Sequence, residues 1–158
     1  MKFIADGMLG KLTRWLRMLG HDVKYSNAME DSELIKTAKK TRRILLTKDL
    51  ELYQQATAKG VDAFYLSGQT EEDRLAEMAK RFDIELEINM RTSRCPKCNA
   101  RVKPIPKPEA EKKVEKNTLT HYDSFWKCSK CGQIYWQGAH WTRIQRTLEK
   151  AKEKLKGL

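Results

Sequence analysis

The stretch KFIADGMLGKLTRWLRMLGHDVKY, residues 2–25, decides how this chain folds. It opens on a short apolar strand, Lys2–Ala5, and Asp6 and Gly7 follow directly. The next segment places Leu12, Trp15, Leu16 and Leu19 at i, i+3, i+4, i+7, which predicts a helix with one apolar face. Gly20 ends that helix, and Val23–Tyr25 reads as a second short strand. A strand, a helix and a strand in close succession favour a parallel sheet.

The same alternation extends outward. Asp31 begins a helix with Leu34, Ile35 and Ala38 inward, and Arg43–Thr47 is the clearest strand. Leu50–Lys59 is helical, Gly60 stops it, and Val61–Leu66 is a fourth strand. Thr70 caps a helix whose Leu75, Met78, Ala79 and Phe82 repeat at helical spacing, and Ile84–Ile88 is expected as a fifth strand. Residues 1–90 therefore read as one α/β domain, a mostly parallel sheet with helices on both faces. Residues 91–158 read as a second, smaller module. They hold all four cysteines and all four prolines. Residues 103–117 are expected to be an exposed, proline- and charge-rich arm without helical or strand periodicity. From His140 the spacing of Trp141, Ile144, Leu148, Ala151 and Leu155 predicts a terminal helix.

Charge separates the two parts as sharply as pattern does. Residues 1–90 carry 15 basic and 15 acidic side chains, whereas residues 91–158 carry 17 and 6, so the whole net charge of +11 lies on the cysteine-bearing side. Such asymmetry points to a polyanionic partner, nucleic acid first. No apolar run approaches the roughly 20 residues of a membrane span. Asp6 interrupts the start before any signal-peptide core can form, so the expected location is the cytoplasm.

Cys95 and Cys98, then Cys128 and Cys131, form two C-x-x-C turns. A two-residue spacer lets both sulfurs of a turn reach one ion, and four thiolates close a tetrahedral Zn²⁺ site with no position left for water. The expected role is structural, because a small module gains folding free energy from the metal. Gly132 supplies the tight backbone after the second turn. Paired disulfides are the alternative, disfavoured in a reducing cytosol.

Asp6, Asp31 and Asp49 all fall just beyond carboxyl ends of predicted strands, the edge where open α/β sheets gather ligands. Three convergent carboxylates need a cation, and Mg²⁺ or Mn²⁺ suits oxygen ligands and phosphodiester hydrolysis. Capping of the following helix explains Asp31 or Asp49 equally well. Asp6 has no such explanation, since an apolar strand precedes it. Thr47 is placed to orient a water or phosphate, although strand propensity accounts for it too. Lys11, Arg14 and Arg17 line the polar face of the first helix and are candidate phosphate contacts. Tyr135, Trp136, His140 and Trp141 read foremost as packing at the junction of ribbon, helix and α/β domain. Stacking on unpaired bases is the alternative, with His140 a candidate RNA contact.

Taken together, ADGMLGKLTRWLRMLGHDV, Asp31 with Ala38, RRILLTKD, RCPKCN and FWKCSKCGQIYWQGAHW resemble the Mut-seven C-terminal RNase domain family, from Phe3 to about Leu148. The resemblance implies a PIN-like nuclease domain fused to a zinc ribbon. It further implies metal-dependent RNA cleavage with Asp6, Asp31 and Asp49 where the family's acidic motifs fall, and a partner that is RNA, free or within a ribonucleoprotein. A fourth acidic residue of the PIN type has no clear counterpart here. A non-catalytic zinc-ribbon RNA-binding protein is the competing reading. A haloacid-dehalogenase-type phosphatase would need D-x-D where this chain has Asp6, Gly7 and Met8.

Overall fold

A computed structural model describes residues 1–158. Strands β1 (Lys2–Ala5), β2 (Asp22–Tyr25), β3 (Ile44–Thr47) and β4 (Ala63–Tyr65) form one all-parallel sheet in the order β2-β1-β3-β4. The connections contain α1 (Gly10–Met18), α2 (Asp31–Thr41) and α3 (Leu50–Ala58), and α4 (Glu71–Phe82) follows β4. Successive strand residues face opposite sides, which divides the core in two. Phe3, Ala5 and Leu46 point into a cluster with Leu12 and Leu16 of α1 and Leu75 and Met78 of α4. Ile4 and Leu45 point the other way, toward Leu34 and Ile35 of α2 and Leu52 and Ala56 of α3. The sheet thus has helices on both faces, as the alternating pattern implies. A Thr70–Asp73 capping box starts α4.

The expected fifth strand does not form. Ile84–Ile88 has no ladder partner, yet Ile84 and Leu86 are buried and Glu85 and Glu87 are exposed. The alternation reports one inward face, which packs on the helical layer without a neighbouring strand. The arm at 103–117 is also more ordered than its composition suggests. Val102–Ile105 is strand β5, Lys107–Ala110 is α5, and Lys116–His121 is α6. β5 pairs antiparallel with β6 (Phe125–Cys128), and β6 pairs with β7 (Ile134–Tyr135). Pro104 is tolerated because β5 is an edge strand. Ala110 and Val114 are buried against Phe125 and Ile134, a small core of their own.

The terminal helix α7 (Ala139–Lys156) belongs physically to the first core. Leu148 and Ala151 lie in the same cluster as α1 and α4, and Lys154 pairs with Asp73 at 2.8 Å. The chain therefore leaves the α/β core near residue 90, builds the ribbon, and returns. No helix is long and apolar enough to cross a membrane.

Candidate functional site

Because the strands are parallel, the loops leaving β1, β2 and β3 emerge at one edge and carry Asp6, Asp31 and Asp49. β1 lies between β2 and β3, so Asp6 is flanked by the other two. Asp6 is only 6% exposed. Its Oδ2 accepts a hydrogen bond from the Thr47 hydroxyl at 2.6 Å, and its Oδ1 accepts from the Met8 N–H at 2.7 Å. The second bond caps a 3₁₀ turn, Gly7–Leu9, so Asp6 does have a capping role that the sequence did not disclose. Thr47 is wholly buried, so it orients the Asp6 carboxylate and touches no solvent-borne ligand itself. Its hydroxyl also accepts from the Asp49 N–H at 3.0 Å, which links the β1 and β3 ends. Asp49 caps α3 through Oδ1, which accepts from Glu51 and Leu52 N–H groups, leaving Oδ2 with no protein donor.

Asp31 stands exposed in the first turn of α2, where Glu30 occupies the cap position without a side-chain bond. The loop before it is held to the β1 loop by the Tyr25 hydroxyl, which donates to the Gly7 carbonyl at 2.7 Å. A Cβ at Gly7 would lie 3.1 Å from Asn27 Cα, and one at Gly10 would lie 3.0 Å from the Tyr25 hydroxyl, so both glycines permit this approach. The three aspartates share an edge but do not close on one another. The four cysteine sulfurs are the only ligand atoms of three or more His, Cys, Asp or Glu residues that all lie within 4.8 Å of each other.

Those sulfurs fit one zinc ion. A Zn–S bond of about 2.3 Å implies tetrahedral sulfur separations of about 3.8 Å. Cys95 and Cys131 are 3.8 Å apart and Cys98 and Cys128 are 3.2 Å apart, far beyond the roughly 2.05 Å of a disulfide. Asn99 and Gly132 each follow the second cysteine of a turn with φ of 73° and 78°, so both turns wind alike. Burial pushes the Cys128 thiol up, but the N–H groups of Cys131 and Lys130, each 3.4 Å from its sulfur, bring its pKa down to about 6. The Tyr135 hydroxyl lies 3.0 Å from the Cys95 sulfur and supports it from outside the shell.

The first turn is bolted to the edge of the sheet. Asn99 Oδ1 accepts from the Val23 N–H at 3.1 Å, and Asn99 Nδ2 donates to Asp22 at 2.7 Å. Burial works to raise the Asp22 pKa, but Arg43 and Asn99 hold it below its ordinary value. Arg17 corrects the sequence reading. It is buried, its Nε and one amino group donate to the Val23 carbonyl, and the other donates to the Pro96 carbonyl at 3.0 Å. Its donors join α1, β2 and the first cysteine turn, so none faces a phosphate. Lys11 and Arg14 are exposed on α1, as expected. His140 is exposed, with Nδ1 3.0 Å from Arg143. The aromatics around it do not fill a junction completely: they line an open cleft of about 690 Å³ between α1, the ribbon and α7. Trp15 and Trp126 also line this cleft. Only the fold brings them to the 135–141 cluster.

The fold and the cysteine cluster define an α/β protein whose parallel sheet carries acidic residues at its carboxyl edge and is joined to a ribbon that fits zinc. The chain belongs to the Mut7-C RNAse domain family, whose model matches residues 1–148. No curated protein and no solved structure matches it. Family membership gives the chain a nuclease or RNA-related role.

Proposed function

We propose that this protein is a PIN-type endoribonuclease of the cytoplasm that hydrolyses RNA phosphodiesters at the acidic edge, with the zinc ribbon holding the RNA. The observation that carries the reading is Asp6. A carboxylate is nearly buried at the end of a central strand and fixed by a wholly buried threonine hydroxyl. A buried charge is costly unless it is hydrogen-bonded, and the bonds from Thr47 and Met8 offset that cost while holding the carboxylate at the strand end. A divalent ion, Mg²⁺ or Mn²⁺, would supply water activation and charge neutralisation when bound. Mg²⁺ commonly takes only one or two carboxylates and keeps waters and substrate phosphate oxygens. Asp6 and Asp49, joined through the Thr47 hydroxyl, would supply the carboxylates of such a shell, with Asp31 on the same edge. Lys11 and Arg14 stand on the helix that begins beside Asp6, where they can hold the phosphate backbone. The four thiolates leave zinc no open position, so its role is structural.

Cleavage of labelled single-stranded and hairpin RNA, with Mg²⁺ or Mn²⁺, tests the proposal. Asp6→Asn should lower the rate by at least about 100-fold, the scale of removing one preorganised electrostatic group. Equal cleavage by wild type and Asp6→Asn would overturn it. The dispersed carboxylates and the capping role of Asp49 favour a second reading, RNA binding without hydrolysis. Salt-sensitive binding with no cleavage under any divalent ion would select it.

A further inference from the structure

We infer that the cleft between α1, the ribbon and α7 is a binding site for unpaired bases of single-stranded RNA. All four tryptophans of the chain line it, Trp15 from α1, Trp126 from β6, Trp136 after β7 and Trp141 from α7. None of them is buried, although the core holds 33 hydrophobic residues, including three phenylalanines. Trp15 packs in part on the α/β core and Trp126 on the cysteine core, so these two rings brace the cleft while still lining it. Trp136 is 37% exposed, and its ring is nonetheless fixed. It packs on Phe125 at a centroid distance of 6.2 Å and lies so close over Gly138 that a Cβ there would come within 2.7 Å of its Nε1. A partly exposed ring braced by its neighbours can serve as a stacking platform.

The charge around the cleft selects the ligand. Arg14, Arg94 and Arg143 line it, and none of its 22 lining residues is acidic, in a chain with 21 aspartates and glutamates. Its volume of about 690 Å³ is in the range of built ligand sites, roughly 300–1,000 Å³. Unpaired bases can turn into such a site, whereas a duplex keeps its bases stacked and offers mainly backbone and 2′-hydroxyls. The position fits as well. α1 begins beside the turn that Asp6 caps and carries Arg14 and Trp15 into the cleft lining. From Gly10 to the cleft-lining Trp15 and Met18 the helix rises about 8–12 Å. A single strand can therefore cross the acidic edge and seat its neighbouring bases among the tryptophans. The inference rests on the proposed function for the identity of the ligand as RNA.

The test uses full-length zinc-loaded protein in the Asp6→Asn background, a fluorescein-labelled 12-residue oligouridylate, and a duplex RNA of equal length. Because every tryptophan lies in the cleft, intrinsic emission should be quenched by the single strand, saturating at the Kd measured by anisotropy. Trp136→Ala and Trp141→Ala should each weaken single-strand binding about 10-fold, within the cost of losing one stacking platform. Trp136→Phe should retain most of the affinity, and Arg143→Gln, on the exposed rim, should weaken it about threefold. Duplex binding should be weaker and unchanged by the tryptophan variants. Absence of quenching, or unaltered single-strand affinity in Trp136→Ala, overturns the inference. Cleavage is scored separately with wild type: binding and quenching without cleavage leaves the cleft standing and removes the nuclease reading. Cleavage with a KM indifferent to Trp136→Ala does the reverse.

Discussion

Replacing Arg17 by Met separates the two roles that the polar face of α1 can have. The methionine keeps an unbranched apolar stem and removes the guanidinium. Three hydrogen bonds disappear, two to the Val23 carbonyl at 3.1 and 2.8 Å and one to the Pro96 carbonyl at 3.0 Å. Each bond from a charged donor is worth about 1.5–3 kcal/mol, so the three set a ceiling of roughly 4.5–9 kcal/mol. Three effects keep the loss well below that ceiling: water reaches part of the opened site, the charge no longer has to be buried, and the stem still packs. The expected loss is about 3 kcal/mol, in the upper part of the usual range for single substitutions. For a chain of this size that is a fall of roughly 6–12 °C in the thermal midpoint. The zinc site should loosen too, because Arg17 lies beside Cys98 and Cys95, whose charge works against the lowering of its pKa by burial. Thermal melts of zinc-loaded protein and zinc release to a chromophoric chelator read both effects. Lys11→Met and Arg14→Met, exposed on the same helix, should melt within about 2 °C of wild type, as surface changes usually do. The reasoning fails if Arg17→Met melts like those controls while binding RNA several-fold more weakly. That outcome would return the guanidinium to the phosphate-binding role that the sequence pattern suggested.

Three further outcomes follow from the geometry. Thr47→Val keeps the shape of a wholly buried side chain and deletes the donor to Asp6, so RNA cleavage should drop about 10-fold with little change in RNA affinity, and Thr47→Ser should restore it. A similar rate in Thr47→Val would mean the hydroxyl does not serve the carboxylate. Cys131→Ser, or a strong zinc chelator, should unfold the ribbon, seen as loss of near-ultraviolet tryptophan signal with a large fall in thermal midpoint; an unchanged melt would remove zinc from the account of stability. Burial, with help from the N-terminal ammonium and Arg94, lowers the His21 pKa from 6.5 to about 4. The unfolded chain therefore takes up a proton that the folded chain refuses, and stability should decline as pH falls from about 6.5 toward 4. His21→Asn should flatten that part of the melting profile relative to wild type, and parallel profiles would refute the assignment.

Much of this architecture is legible in the sequence because the α/β core follows strong local rules. Four strands, α1 to α4 and α7 have either full helical periodicity or short apolar runs closed by Gly20, Gly60 or Thr70. The zinc ligands are legible because C-x-x-C spacing is itself geometry. The misreadings have physical causes. Helices α5 and α6 have four and six residues, too few for a period to show. Ile84–Ile88 alternates as a strand does, but alternation reports a buried face and carries no information on a hydrogen-bonded partner. Arg17 sits about 60° from Arg14 and about 100° from Leu16 around the helix, on the flank between polar and apolar faces. Which way a flank residue turns depends on β2 and on Pro96, far away in the sequence. The cleft is hidden for the same reason, since Trp15 and Trp126 meet only in the folded chain.

The edge of the sheet explains why the ribbon stands where it does. An exposed edge strand offers unpaired N–H and C=O groups to other chains, and proteins commonly cover it. β2 is such an edge, and its Val23 N–H and carbonyl are taken by Asn99 and Arg17. Asn99 can do this only because the first cysteine turn holds it at a φ of 73°. A zinc ion on the four cysteines would order that turn, the turn covers β2, and β2 leads into the loop that carries Asp31. Such an ion would be coupled to the acidic edge through one strand. Because α7 then returns to pack on α4, the ribbon is tethered to the core on both sides, so zinc loss should disturb the α/β domain as well as the ribbon.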